Sequence, residues 1–186
     1  MPRIHRASAI ITVLLTSLTG AAAQDPYGIG RTATPAEIAG WNIDVGGDGS
    51  SLPPGSGSVA HGRGIFAEQC AACHGEKGQG GVGDRLVGGQ GTLATSNPVR
   101  TVGSYWPYAP TLFDYIRRAM PQNAPESLSN DDVYALSAYI LSLNGLLPDD
   151  TTLDARSLAA LKMPNRKMFV GDQRPDVKNR ACMDHC

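Results

Sequence analysis

The sequence predicts an all-α fold of short helices joined by long loops, and three observations predict it. Two stretches carry apolar residues at helical spacing: Leu112, Tyr115, Ile116 and Ala119 in one, Val133, Leu136, Ile140 and Leu143 in the other. Loop formers are abundant, with 22 Gly and 13 Pro among 186 residues, while aromatics make up only 6%. A core so short of large side chains suits a bulky prosthetic group, and the run Cys70-Ala71-Ala72-Cys73-His74 points to one.

That run reads C-x-x-C-H, the attachment signature of a c-type haem. Two thiols three residues apart on one helical turn can each add to a vinyl group of the same porphyrin. His74 then lies under the ring and offers its imidazole to iron. A bare C-x-x-C is also half of a zinc site or the start of a thioredoxin-like redox helix. The His directly after the second Cys ranks haem first. The motif occurs once and no internal repeat accompanies it, so one covalently bound haem c is expected, held by Cys70, Cys73 and His74.

The N-terminus agrees with this chemistry. Residues 1–23 have a positive n-region at Arg3 and Arg6, an apolar stretch from Ala9 to Leu18, and Ala21-Ala22-Ala23 as a cleavage site, the pattern of a secretory signal peptide. The apolar run is shorter than the roughly 18 to 20 residues of a membrane span. Export and thioether attachment together predict a periplasmic protein with no membrane span after cleavage. Removing residues 1–23 takes two Arg and no acid, leaving 14 basic against 17 acidic residues and a net charge of about −3. Such a balance disfavours nucleic acid and anionic membranes, which select basic proteins, and leaves a protein partner.

Residues 24–57 read as an N-terminal extension. Ile38, Trp41, Ile43 and Val45 are its candidates for docking on a core, and Gly46 to Gly57 is a Gly/Pro/Ser-rich loop. Residues 58–147 form the expected cytochrome domain. Ser58 can cap a helix to about Cys70, with Ile65 and Phe66 inward, and Glu76 to Gly91 is a Gly-rich loop. A second helix begins at Pro110-Thr111, with Thr111 as N-cap, Asp114 completing a box-like start, and Pro121 as terminator. The third helix has Ser129 as cap, Asp131 and Asp132 in its first turn, and Gly145 just past its end. Residues 148–186 are expected to wrap the domain as a C-terminal extension.

In this order of elements the chain resembles class I c-type cytochromes, in which the first and last helices cross above the haem. Gly62, Phe66 and Tyr139 look like that crossing. Such proteins often carry G-P-x-L-x-G after the haem motif, the Pro carbonyl holding the proximal His. The match here is Gly83-Asp84-Arg85-Leu86-Val87-Gly88, with Asp84 in the Pro position. The resemblance implies a backbone carbonyl near Asp84 accepting from His74 Nδ1, and Leu86 against the ring. More particularly, Thr101 to Pro121, Leu52 to Val59, Lys162 to Arg166 and the ending Arg174 to Cys186 resemble the cytochrome subunit of bacterial Sox-type sulfite dehydrogenases. That likeness implies a molybdenum-containing sulfite dehydrogenase subunit as electron donor, and a downstream c-type cytochrome or oxidase as acceptor.

The candidates for a sixth iron ligand are Met120, Met163, Met168, Met183, His61 and His185. Met120-Pro121, just before the last helix, stands where short bacterial class I cytochromes present their Met. Met163 is the alternative, because Lys162-Met163-Pro164 could loop back over the open face. Arg100, Tyr105 and Trp106 are expected to donate to haem propionates, or else to serve as core and rim aromatics. Arg117 and Arg118 read as a solvated face or a docking patch. In an oxidising compartment Cys182 and Cys186 form an even pair, read as a disulfide; a zinc site with His185 is the competing reading. The function expected is electron transfer, with no catalytic residues of its own. An electron-transfer subunit or haem enzyme of thiosulfate oxidation is the alternative.

Overall fold

The computed structural model describes residues 29–171, so the signal segment and the Cys182–Cys186 pair lie outside the described residues. The chain forms two units, Met1–Asn42 and Ile43–Cys186. In the first, helix α1 (Pro35–Trp41) starts at a full capping box: Thr34 Oγ1 accepts from Glu37 N, and the Glu37 carboxylate accepts from Thr34 N at 2.8 Å. The Thr34-Pro35-Ala36-Glu37 run is the sequence signal for this helix within the N-terminal extension. Of the four docking candidates, Ile38 and Trp41 are exposed, whereas Val45, in the second unit, is buried in the core.

The second unit is organised around one buried helix. Helix α2 (Val59–Gln69) is capped by Ser58, whose hydroxyl accepts from His61 N, and ends at Cys70. A short turn of helix, α3 (Ala71–His74), carries the haem motif. After a long loop come α4 (Pro110–Ala119) and α5 (Asn130–Leu143), then α6 (Ala155–Ala160). Among the described residues α5 packs against both α2 and α4, and residues 133–141 are buried on nearly every side. The stripe read from sequence is therefore only part of its apolar surface.

Helix α2 crosses α5 with almost no space between the backbones. A Cβ on Gly62 would lie 1.9 Å from the carbonyl oxygen of Ala135 and 2.9 Å from Tyr139 Cβ. Gly57 is as tight, its imagined Cβ 2.2 Å from Ala135 N. Beside these glycines Phe66 meets Tyr139 edge-on at 5.3 Å, a favoured aromatic geometry.

The fold is mainly helical but not purely so. Strand β1 (Ser56–Ser58) pairs antiparallel with β2 (Thr152–Asp154), Gly57 opposite Leu153. The chain entering α2 and the chain entering α6 lie side by side against α5. Their backbone groups, shielded there from water, satisfy one another. Tyr134 Oη donates to Pro53 O at 2.7 Å and fastens the Pro-rich loop to the same helix.

Helix α4 departs from the expectation at its start and in its face. Thr111 caps nothing: the N-cap is Ala109, with no side-chain cap bond, and Pro110 opens the helix where its missing N–H costs nothing. Phe113 is buried against Tyr134 at 4.5 Å, whereas Tyr115 is exposed. Asp114 turns inward, accepting from Val45 N at 2.9 Å and from Arg118 Nε at 2.9 Å. Burial works against its charge, but the hydrogen bonds from Arg118 and Val45 and the charges of Arg118 and Arg117 outweigh it. The carboxyl is held below its ordinary range. Arg117 donates to Ile43 O at 3.0 Å. Both arginines are thus tied into the structure, with Arg118 still exposed.

Candidate functional site: a haem-attachment loop

Helix α2 ends where the motif begins. Cys70 N donates to Phe66 O at 2.9 Å as the last bond of α2, and His74 N donates to Cys70 O at 3.0 Å as the first closure of α3. One turn thus holds Cys70, Cys73 and His74 in fixed sequence. Neither Cys70 nor Cys73 is in a disulfide; Cys70 is half-buried and Cys73 exposed. Burial, with Cys73 adding to it, pushes the Cys70 thiol up to about 11, so a reactive free thiolate is disfavoured there.

The following loop is shaped by backbone contacts to that turn. Gly80 N donates to His74 O at 2.8 Å, Gly83 N to Cys73 O at 2.9 Å, and Leu86 N to Gly78 O at 2.8 Å. Gly75, Gly78 and Gly80 hold left-handed φ values of 79°, 67° and 94°, which let the loop double back so tightly. Gly83 lies tight against the imidazole for another reason: a Cβ there would stand 3.0 Å from His74 Cε1 and press on the ring.

His74 Nδ1 lies 2.6 Å from the carbonyl oxygen of Asp84. A carbonyl only accepts, so Nδ1 carries the proton and donates, and Nε2 keeps its lone pair. Among the described hydrogen bonds Nε2 makes none. A hydrogen bond of this kind fixes tautomer and ring orientation in metal-ligating histidines. The backbone carbonyl at 84 supplies it with Asp as well as with Pro, since the side chain takes no part.

The loop is pinned from behind by a residue that sequence reasoning missed. Asn144, buried at the C-cap of α5, donates through Nδ2 to Leu86 O at 3.1 Å and to Ile140 O at 2.9 Å. Its Oδ1 accepts from Gly88 N at 3.3 Å. Thr101 Oγ1 donates to Gly88 O at 2.6 Å, and Ser104 Oγ to Val99 O at 2.7 Å, so residues 99–104 brace the same loop. The Asn144-Gly145 pair signals a helix end in sequence, but its partners lie 56 and 58 residues away.

The other candidates separate in this structure. Cys70, Leu86, Trp106 and Met120 are partly buried apolar side chains resting on the core. Met120 is the C-cap of α4, its N–H bonded to Ile116 O. Met163 is 3% exposed and belongs to the core itself. Trp106 sits edge-on to Tyr115 at 5.9 Å. Tyr105 is on the surface, with Phe169 edge-on at 5.3 Å and the Arg100 guanidinium 5.6 Å over its ring. His61, on the exposed side of α2, contacts Asp132 at 2.9 Å. No group of three or more metal-ligating His, Cys, Asp or Glu side chains exists among the described residues, so none forms a zinc centre around Cys70 and Cys73.

These donors fit a covalent haem: two free thiols at i and i+3, a histidine with Nδ1 protonated and Nε2 available, and a half-buried apolar margin. Residues 57–140 match the family model described as cytochrome c oxidase, cbb3-type, subunit III. A chain of the crystal structure of the sulfane dehydrogenase SoxCD from Paracoccus pantotrophus superposes with a TM-score of 0.76 at 42% identity, covering 86% of this chain and 81% of that one. The chain belongs to the c-type cytochromes, and among them to the Sox type. This cytochrome is also 33% identical over 92 residues to a thiosulfate dehydrogenase of Stutzerimonas stutzeri, 48% of its own length but only 29% of that relative's. C-type cytochrome domains carry covalently bound haem. No helix among the described residues is long and apolar enough to cross a membrane.

Proposed function

We propose that this cytochrome is a periplasmic monohaem electron-transfer subunit that takes electrons from a molybdenum-containing, sulfite dehydrogenase-type subunit and passes them to a downstream c-type cytochrome or oxidase. The observation that carries the reading is His74, held through Nδ1 by Asp84 O at 2.6 Å with Nε2 left for iron, beside the two free thiols of a single C-x-x-C-H. The likeness to a sulfane dehydrogenase structure at 42% identity supports inorganic sulfur as the ultimate electron source.

Cys70 and Cys73 would anchor the haem by thioethers and His74 would ligate its iron. When bound, the haem supplies a one-electron couple. Met120 is proposed as the sixth ligand and Leu86 as a contact on the ring. Burial of Met163 in the core supports Met120 over it. With His74, a Met120 thioether would hold the haem iron and raise its potential, as suits an electron carrier. Trp106, half-buried, is proposed to donate to a propionate. Tyr105 and Arg100, the other proposed donors, are stacked on each other at the surface. The tail pair Cys182–Cys186 is proposed as a disulfide.

The test is reduction of the ferric protein by sulfite with and without the molybdenum subunit. Reduction only when that subunit is present is the expected result. Fast reduction by sulfite or thiosulfate alone would overturn the carrier reading and make this a haem enzyme. The likeness to a thiosulfate dehydrogenase is what keeps that second reading in view.

A further inference from the structure

Two segments far apart in sequence are stitched into one surface. Tyr108 and Lys162 form an antiparallel bridge, and Asn165 Nδ2 donates to Tyr105 O at 2.5 Å. Phe169 stands edge-on to Tyr105 at 5.3 Å. The Arg166 guanidinium lies 5.1 Å over Tyr108, and that of Arg100 lies 5.6 Å over Tyr105. Exposed Met168, at 72%, and Phe169, at 52%, continue the face.

Among the described residues its charge is mainly positive. Residues 85–113 and 155–171 contain no Asp or Glu. Arg100, Lys162, Arg166 and Lys167 are exposed, and none has a carboxylate partner among the described ion pairs. The nearby acid is Asp48, on a turn whose Gly47 lies against the Tyr108 ring; its carboxylate accepts from Ser50 N at 2.9 Å. Arg117 and Arg118, by contrast, are consumed internally. Cations clustered without carboxylate partners repel one another. Two of these cations are planar guanidiniums stacked on tyrosine rings, which holds their donor forks in place for carboxylates. Arginine, tyrosine, phenylalanine and methionine are also the residue types enriched at protein interfaces.

We infer that the face formed by Arg100, Tyr105, Tyr108, Lys162, Arg166 and Phe169 docks a carboxylate-rich surface of the protein with which this cytochrome exchanges electrons. The partner's role rests on the electron-carrier reading above; the acidic chemistry of its surface rests on the face itself. A protein is favoured over an anionic bilayer because the whole chain carries a net charge of −1, so attraction is confined to this rigid patch.

The experiment uses the haem-loaded protein and the double variant Lys162→Glu/Arg166→Glu. The control is Lys77→Glu/Arg156→Glu, the same charge change on exposed residues outside the face. Binding of a poly-glutamate peptide at low ionic strength is measured for each, beside the rate of electron transfer from the molybdenum subunit. Wild type and control should bind comparably and lose binding as salt rises, while the double variant binds about tenfold or more weakly with a flatter salt dependence. Lys167→Glu, which disturbs no described contact, should show a smaller loss in the same direction and so guards against misfolding of the double variant. Equal binding by all variants, or equal loss in the control, overturns the proposal. Tighter binding to phosphatidylglycerol vesicles than to poly-glutamate, lost in the double variant, overturns it in favour of a membrane. If poly-glutamate binding follows expectation but no preparation receives electrons from the molybdenum subunit, the docking face stands and the donor assignment fails. If electron transfer proceeds and the double variant does not slow it, the docking face fails and the carrier reading stands.

Discussion

Gly62 and Gly64 lie on the same helix, two residues apart, and alanine should act on them with opposite signs. A Cβ on Gly64 meets nothing within 4 Å, so Gly64→Ala should stabilise by about 0.5–1 kcal/mol through helix propensity alone. At Gly62 the same atom would stand 1.9 Å from Ala135 O and 2.4 Å from Ala135 C. Those atoms are backbone of a helix buried on nearly every side, so no rotamer change can relieve the overlap. The helices must part by roughly 1.5 Å, enough to forfeit a large fraction of the contact energy between their facing atoms. Overpacking of this kind costs about 3 kcal/mol at the upper end of its ordinary range. Less about 1 kcal/mol of propensity gain, the net destabilisation is ~2 kcal/mol, or a fall in midpoint of roughly 4–8 °C for a domain of this size. Thermal unfolding of the haem-loaded protein, followed by far-ultraviolet circular dichroism and Soret absorbance together, measures it. A midpoint for Gly62→Ala within about 1 °C of that for Gly64→Ala would refute the close crossing of α2 and α5 as the constraint.

Three further outcomes follow from the site and its frame. Asp114→Asn should lower the unfolding midpoint at pH 7. Because the folded carboxyl is held below its unfolded value, its contribution is present above about pH 4 and is lost as pH falls through the folded pKa. Acid unfolding curves of the variant should therefore be flatter than wild type below pH 4, and parallel curves would remove Asp114 as the cause. Asn144→Ala should cost about 1–3 kcal/mol by leaving Leu86 O and Gly88 N without their buried partner. It should also shift the haem potential through the loop that holds His74, whereas a stability loss with an unchanged potential would confine Asn144 to a structural role. Met120→Ala should abolish the weak near-infrared sulfur-to-iron band of the oxidised protein and lower the potential, while Met163→Ala keeps the band and loses stability as a core truncation; the reverse pattern would move the ligand to Met163.

What the sequence determined by itself was mostly local chemistry. Ser58 and Ser129 cap their helices because a hydroxyl beside an unpaired N–H acts within one turn, and the haem motif is legible because two thiols and an imidazole must share a turn to reach one porphyrin. The crossing glycine and its aromatic pair were legible through resemblance alone, since nothing in Gly62 itself says that Ala135 lies 1.9 Å from where its Cβ would be. The tertiary structure decided everything that depends on distant segments meeting. It turned Asp114 inward to Val45, and it began the helix at Pro110, one residue before the expected cap Thr111. It paired β1 with β2 because two chain entries share one buried helix face. It made Asn144 the pin of a loop more than fifty residues away. Charge shows the division best: a net charge of −1 leaves room for local patches without saying where they lie, while the Tyr108–Lys162 bridge gathers Arg100, Lys162 and Arg166 onto one face. Coulomb attraction acts over about a Debye length, so it is the local arrangement of charges, not their sum, that a partner meets.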